Sequence, residues 1–181
     1  CGVDGLVVEG GEGGGFKNPR DVSTMVLLPL VRSQVDVPII AAGGFIDGAT
    51  MAAAFALGAE AVQMGTRMVS SLESPVHDNW KNSIVDAAET DTVFLNRAHS
   101  PALRALRTEK TSRLEFETET NAMTEFGTAL DLYFGGDMEA SIALTGQVCG
   151  RIDSVRPVAE IIAEVRHEFF QVIGELSEQY R

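Results

Sequence analysis

At 181 residues, 45% hydrophobic and 22% charged, the chain has the balance of one globular domain with enough length to bury a core. Its formal charge of −12 argues against a broad nucleic-acid surface and against attraction to anionic lipid, but not against a phosphate held locally by backbone N–H groups. No apolar run approaches the roughly 18 residues of a membrane span, no signal peptide is visible, and the first residue is Cys1 rather than Met, so this N-terminus is not expected to be a translation start.

Gly5–Val8 reads as a short, apolar, buried strand, followed by a polar glycine-rich loop over Glu9–Pro19. Val22–Val35 has a helical pattern with Asp21 or Ser23 as N-cap, and Pro29 within it predicts a kink or two shorter pieces. Val37–Ala42 is the second strand. Asp47 is placed to cap a helix over Ala49–Leu57, which Gly58 ends. Ala61–Met64 is the third strand, about 24 residues beyond the second, a spacing that suits strand–loop–helix–loop. Pro75–Ala88 predicts another helix.

After Thr90 the rhythm changes. Asp91–Asn96 reads as a strand, Ala102–Lys110 carries a basic cluster of Arg104, Arg107 and Lys110, and Glu115–Tyr133 reads as helical. Gly135 and Gly136 break the chain before a short helix at Asp137–Leu144. Ser154–Tyr180 predicts a long amphipathic helix with Ser154 as N-cap and Pro157 in its first turn. The pattern divides the chain into β/α units over residues 1–90, an inserted or appended subdomain over 91–153, and a C-terminal helix over 154–181. Cys1 and Cys149 make neither a disulfide framework nor a metal pattern, and His77, His99 and His167 lack a ligand-like i, i+4 pair. Surface or structural histidines, no metal, and a reducing, cytoplasmic setting are the expectations.

Each of the first three strands runs into glycine: Glu9 through Gly15, Gly43-Gly44, and Gly65. In parallel β/α folds ligands sit at the C-terminal strand ends, and glycine lets the backbone approach a ligand and leaves N–H groups free for an anion. The turns Ala42-Gly43-Gly44-Phe45 and Met64-Gly65-Thr66-Arg67 offer backbone donors, a hydroxyl and an arginine, a set that suits a phosphate monoester. In (β/α)8 barrels the loops after the last two strands commonly make this site. The alternative is that these glycines only permit tight turns.

The segments Gly2-Val3-Asp4-Gly5 with Glu9 through Gly15, Val37 through Gly44, and Leu57 through Arg67 together resemble the nitronate monooxygenase family. That family, formerly called 2-nitropropane dioxygenase, includes the FMN-dependent enoyl-ACP reductase II enzymes. The likeness continues through Glu73-Ser74, His77, Lys81 and Asp91-Thr92, and resumes at Arg104 and at Gly146-Gln147 with Gly150. It implies an α/β fold: the last three strands of an FMN-binding (β/α)8 TIM barrel plus a smaller, mostly helical subdomain, with the C-terminal helix packing on the barrel. The first five strands have no counterpart here. A three-stranded fragment leaves an edge and a core face exposed, so a missing N-terminal barrel half is expected, from the same protein or a partner chain, and a homodimer is possible.

The resemblance assigns the FMN phosphate to Gly43, Gly44, Gly65 and Thr66, brings Gly14 and Gly15 against the flavin, and sets Glu9 and Gln147 near the ring and ribityl chain. Family members usually end the first loop in Gly-Gly-His, and that histidine is the base. Here the loop ends Gly14-Gly15-Phe16, and phenylalanine cannot move protons. No catalytic residue is therefore assigned. The substrate-side candidates are Phe16, as an apolar wall; Lys17, as a stand-in base or else a solvated loop cation; and Arg104. With Arg107 and Lys110, Arg104 either receives phosphates of CoA, NAD(P)H or a carrier-protein arm, or neutralises Glu109, Glu115 and Glu117. His77 is read as a cap or surface residue and Lys81 as a solvated helix residue. The implied activity is FMN-dependent oxidation or reduction at an activated carbon–carbon bond of an acyl thioester, with NAD(P)H as donor. Oxidation of alkyl nitronates with O2 is the alternative, and a non-catalytic phosphate-binding half-barrel is the reading from another class.

Overall fold

A computed structural model describes residues 2–181; Cys1, and any pairing it makes, lies outside the described residues. In chain order the elements are β1 (Leu6–Glu9), β2 (Gly15–Lys17), α1 (Thr24–Arg32), β3 (Ile39–Ala42), α2 (Gly48–Ala56), β4 (Ala61–Gln63), α3 (Thr66–Val69), α4 (Asp78–Val85), β5 (Thr92–Leu95), β6 (Ala102–Leu106), α5 (Glu109–Phe116), α6 (Ala129–Tyr133) and α7 (Val158–Gln179). Single 3-10 turns lie at Ala122–Glu125 and Gln147–Arg151. Among the described residues no helix is long and apolar enough to cross a membrane.

The α/β expectation holds. β1, β3 and β4 form a parallel sheet in the order β1-β3-β4, with Val8 opposite Ala41 and Ala41 opposite Val62. Because strand side chains alternate, Leu6, Val8, Ile39, Ala41 and Val62 share one face. That face packs with Leu28, Phe45, Ala54 and Ala59 from the connecting segments. The opposite face carries Val7 and Ile40, and both are exposed, as are Met25, Val26 and Leu30 on α1. Among the described residues β1 pairs only with β3, which leaves its other edge open.

The local signals explain most elements. Asp47 caps α2 in a two-way box, its Oδ1 accepting from the Thr50 N–H at 2.8 Å while Thr50 Oγ1 accepts from the Asp47 N–H at 3.2 Å. Gly58, at φ +98°, follows the end of that helix as the sequence predicts. α1 is one nine-residue helix rather than two pieces. The hydrogen bond Pro29 cannot donate would go to Met25, whose exposure lets water take its place. Neither Asp21 nor Ser23 caps α1 with its side chain; Ser23 holds only the backbone N-cap position.

Five expectations are corrected. The glycine-rich loop is not loop throughout: Gly15–Lys17 forms β2 and pairs antiparallel with β6, Phe16 opposite Leu103. The segment after Thr90 is therefore not mostly helical at its centre, which is the antiparallel sheet β2-β6-β5. Every residue of β5 and β6 is buried, with Val93, Leu95, Leu103 and Ala105 packed on Leu114, Ala122 and Ile142. Glu115–Tyr133 is broken into the end of α5, a 3-10 turn and α6, because Asn121 caps the turn at Met123 and Gly127 turns the chain at φ +54°. Asp137–Leu144 is irregular and ends in a buried strip whose Ala143 carbonyl accepts from the Leu106 N–H at 2.8 Å. Finally, α7 starts at Val158 with Pro157 in the N-cap position, so Ser154 is not its cap. The residue before proline is biased to extended backbone, and Arg156 makes a parallel bridge to Ser71. α7 then packs along α2, Phe169 against Phe55 at 5.0 Å.

Candidate functional site

The C-terminal ends of β1, β3 and β4 open on one cavity of about 180 Å³. Seven of the residues singled out from sequence line it: Glu9, Gly14, Gly15, Gly43, Gly44, Gly65 and Thr66. Gly43 and Gly44 take φ +85° and +92°, a pair of left-handed residues that glycine accepts without strain. A Cβ on Gly43 would also fall 2.9 Å from the Gly10 carbonyl oxygen, so the first loop and this turn can nest only because it has none. Among the described residues, nothing accepts a hydrogen bond from the backbone N–H groups of Gly43, Gly44, Gly65 or Thr66. Unpaired backbone N–H groups around a cavity are a means by which proteins build concave anion sites.

Thr66 adds a hydroxyl with its polarity set. Its Oγ1 accepts from the buried N–H of Gly146 at 2.9 Å, which leaves its own proton to give. The strip that ends in Gly146 also pins the first loop. The Gln147 N–H donates to the Glu12 carbonyl at 2.9 Å, and Gly14 lies so close to Thr145 and Gly146 that a Cβ there would come within 2.6 Å of backbone. Trp80 Nε1 donates to Thr145 Oγ1 at 3.2 Å, anchoring the strip to the core. Gln147 itself is exposed and lies beside the cavity residues Gly146 and Val148 rather than among them.

The structure also brings in Glu12, which sequence reasoning left unassigned. Its carboxylate accepts from the Thr24 N–H at 3.0 Å and from Thr24 Oγ1 at 2.7 Å, at the start of α1. The spacing Glu9-Gly10-Gly11-Glu12 ahead of a helix start was the available signal. The hydroxyl of Thr24 in turn reaches the Gly43 carbonyl at 2.8 Å. The loop, the helix start and the phosphate-like turn are thus one hydrogen-bonded unit.

Phe16, Lys17 and Arg104 take different places. Phe16 is 54% exposed and its ring stacks on Phe126, centroids 6.0 Å apart and 23° between planes. Lys17 points to the other side of β2 and is buried, with Nζ 2.7 Å from Glu9 Oε1; the solvated-cation reading is corrected. Arg104 is buried. Its Nε donates to the Gly11 carbonyl at 2.6 Å, and its Nη2 lies 3.7 Å from Asp21 Oδ2. Burial pushes its guanidinium pKa down, with Asp21 opposing. Arg107 pairs with Glu115 at 2.7 Å and Lys110 reaches the Glu125 carbonyl at 3.3 Å, so the three basic residues form no common patch. His77 is a cap, its Nδ1 accepting from the Asn79 N–H at 3.1 Å. Lys81 is buried beside Asp78, not solvated.

A second cavity of similar size lies between α7 and the segments at Ile46–Asp47 and 151–156, lined by Arg67, Arg151, Arg156 and four carboxylates. Most of its charged groups have partners: Arg151 pairs with Asp47, Arg156 with Glu164, and Glu168 accepts from the Gly48 N–H. Arg67 turns its side chain there, donating to the Ser154 carbonyl at 2.8 Å, and so leaves the first cavity. Burial lowers its pKa as well. Among the described residues, the buried Nε of Arg67 has no hydrogen-bond partner.

Comparison with known proteins places these features. The family model for nitronate monooxygenase matches residues 1–168. A protein of Rhodococcus jostii named (3aS,4S,5R,7aS)-5-hydroxy-7a-methyl-1-oxo-octahydro-1H-indene-4-carboxyl-CoA dehydrogenase is 43% identical over 114 residues, covering 63% of this chain and 32% of that protein. A protein of Staphylococcus saprophyticus named "Probable nitronate monooxygenase" is 35% identical over 118 residues, covering 60% and 33%. The structure of FabK from Thermotoga maritima superposes with a TM-score of 0.92 at 41% identity, over 98% of this chain and 58% of that one. A nitroalkane oxidase from Streptomyces ansochromogenes shares the fold at a TM-score of 0.81 and 24% identity, over 97% and 54%. The chain thus spans about a third of the curated relatives and little more than half of the solved structures.

Proposed function

Because the chain belongs to the nitronate monooxygenase family, we propose that it is the phosphate-binding part of an FMN-dependent oxidoreductase. On this reading β1, β3 and β4 are the last three strands of a (β/α)8 barrel. The exposed Val7 and Ile40 face and the open β1 edge are where the rest of the barrel packs. The cavity supports this. At about 180 Å³ it is smaller than the roughly 300–1,000 Å³ of a typical ligand pocket, so it suits one end of a cofactor rather than the whole.

The observation that carries the proposal is the set of four unpaired N–H groups on Gly43, Gly44, Gly65 and Thr66 around that cavity, joined by the free hydroxyl proton of Thr66. These would hold the FMN phosphate. Gly14 and Gly15 would let the isoalloxazine side approach, and Glu9 would accept from a ring or ribityl donor. Gln147, exposed beside the cavity and held through its backbone N–H on the Glu12 carbonyl, would stand near the ring and ribityl chain. When bound, FMN supplies the hydride-transfer chemistry; these residues bind and orient it.

The substrate we propose is an acyl thioester with an activated carbon–carbon bond, and the electron donor NAD(P)H in a cytoplasmic setting. Two features support this. Phe16, whose ring stacks on Phe126, replaces the histidine that the resemblance makes the base, and it cannot move protons. The relatives at 43% and 44% identity carry names of CoA-thioester dehydrogenases. Nitronate oxidation is the second reading, favoured by the names of the staphylococcal relatives.

The test uses the full-length protein. It is expected to be yellow, with absorbance near ~450 nm, to bleach anaerobically with NAD(P)H and to regain colour with an enoyl-CoA. No bleaching, with intact turnover of alkyl nitronate and O2, would select the second reading. A colourless protein that takes up no FMN would leave a phosphate-binding scaffold.

A further inference from the structure

The strand-end cavity poses an electrostatic problem. It is proposed to take an anion, yet the titratable side chains that line it are both carboxylates, Glu9 and Glu12. No lysine or arginine is among the lining residues, because Arg67 has turned to Ser154. Glu12 is spent on the start of α1, through the Thr24 N–H and hydroxyl. Glu9 has one counter-charge, Lys17 Nζ at 2.7 Å.

That pair is built into the loop. Strand alternation on β2 turns Phe16 outward and Lys17 inward. The Lys17 side chain is 5% exposed and that of Glu9 38%, so the ammonium is the sheltered partner and the carboxylate faces the opening. Both sit directly over Gly13. A Cβ there would fall 2.1 Å from Glu9 Oε1 and 2.7 Å from Lys17 Nζ. A lysine is rarely so buried without a charge to answer, since desolvating an ammonium is costly.

We infer that Lys17 is a positioning residue. It holds Glu9 against Gly13 and cancels its charge, so that a wall made of two carboxylates accepts an anionic cofactor while Glu9 keeps one oxygen free as an acceptor. The inference rests on the FMN reading above and adds a role for a residue that does not itself line the cavity.

Flavin titration of the full-length protein, followed by quenching of flavin fluorescence, tests it. Lys17→Met is expected to weaken FMN binding about tenfold, within the range of coupling found for residues in one network. The double variant Lys17→Met with Glu9→Gln is expected to recover most of that loss, and Lys17→Arg to bind close to wild type. Riboflavin, which lacks the phosphate, should lose less than FMN. Lys17→Gln serves as a second neutral variant should Lys17→Met fail to fold. Neutral variants that bind FMN like wild type would overturn the inference. So would a loss that the double variant does not repair, because that marks packing rather than charge. A wild-type protein that binds no FMN would instead remove the FMN reading on which the inference stands.

Discussion

The two sheets of this molecule have spent their interactions differently. In the antiparallel sheet every residue of β5 and β6 is buried, Arg104 Nε donates to the Gly11 carbonyl, and Thr111 Oγ1 on the adjoining α5 donates to the Leu106 carbonyl at 2.8 Å. In the parallel sheet Val7 and Ile40 are exposed and, among the described residues, β1 has an open edge and four N–H groups at the strand ends have no acceptor. Stability is concentrated where valences are closed; binding is placed where they are left open. The strip through Thr145 and Gly146 ties the two together, since it fastens the first loop and Thr66 to the core around Trp80.

The contrast can be broken from either side. The largest effect is expected from the open sheet: residues 1–181 expressed alone should self-associate or precipitate, because Val7, Ile40 and the α1 face with Met25 and Leu30 are uncovered. A sharp monomer boundary in sedimentation velocity with cooperative unfolding would contradict this. In the closed sheet, Leu103→Ala should cost about 2–5 kcal/mol in denaturant unfolding of the full-length protein, since Leu103 is fully buried in the β6 core.

Gly65→Val should do the reverse. Nothing lies within 4 Å of a Cβ built on Gly65, so the fold should tolerate it, while the side chain fills the cavity. We expect FMN affinity to fall about a hundredfold, roughly 2.7 kcal/mol, with little change in unfolding midpoint. Thr66→Val lies between the two. It removes the acceptor of the buried Gly146 N–H and the free hydroxyl donor together, so stability and FMN affinity should each drop by about 1–2 kcal/mol, read by unfolding and by titration. The smallest effect belongs to Arg113→Ala. Its contacts to Glu117 and Glu125 at 3.7 and 3.5 Å are exposed, and its loss should stay within about 0.5 kcal/mol.

The open region was the more legible one. Glycine after a short apolar run is a local signal, and Gly43, Gly44, Gly65 and Thr66 were read from a few neighbouring residues each. The capping of α2 by Asp47 and the use of His77 as a cap were equally local. In the closed region β5 was legible as a strand over Asp91–Asn96, but the rest of the sheet was not, because its pairings are distant. β2 hides inside a glycine-rich loop, and its partner Arg104–Ala102 lies some 85–89 residues downstream. Lys17 looked solvated because lysine usually is; only the fold brings Glu9 back over Gly13 to meet it. The basic cluster failed for a related reason. On a strand, Arg104 points inward to Gly11, whereas Arg107 lies beyond the strand end and pairs with Glu115. The broken stretch from Glu115 to Tyr133 shows local competition instead, where an Asn cap and a left-handed glycine outweigh helix propensity.

The most direct measurement is the crystal structure of the full-length protein with FMN. The account predicts the phosphate between the Gly43–Gly44 and Gly65–Thr66 turns, within hydrogen-bond distance of their N–H groups and of Thr66 Oγ1. A flavin phosphate bound elsewhere, or those N–H groups taken by another segment of the protein, would contradict it.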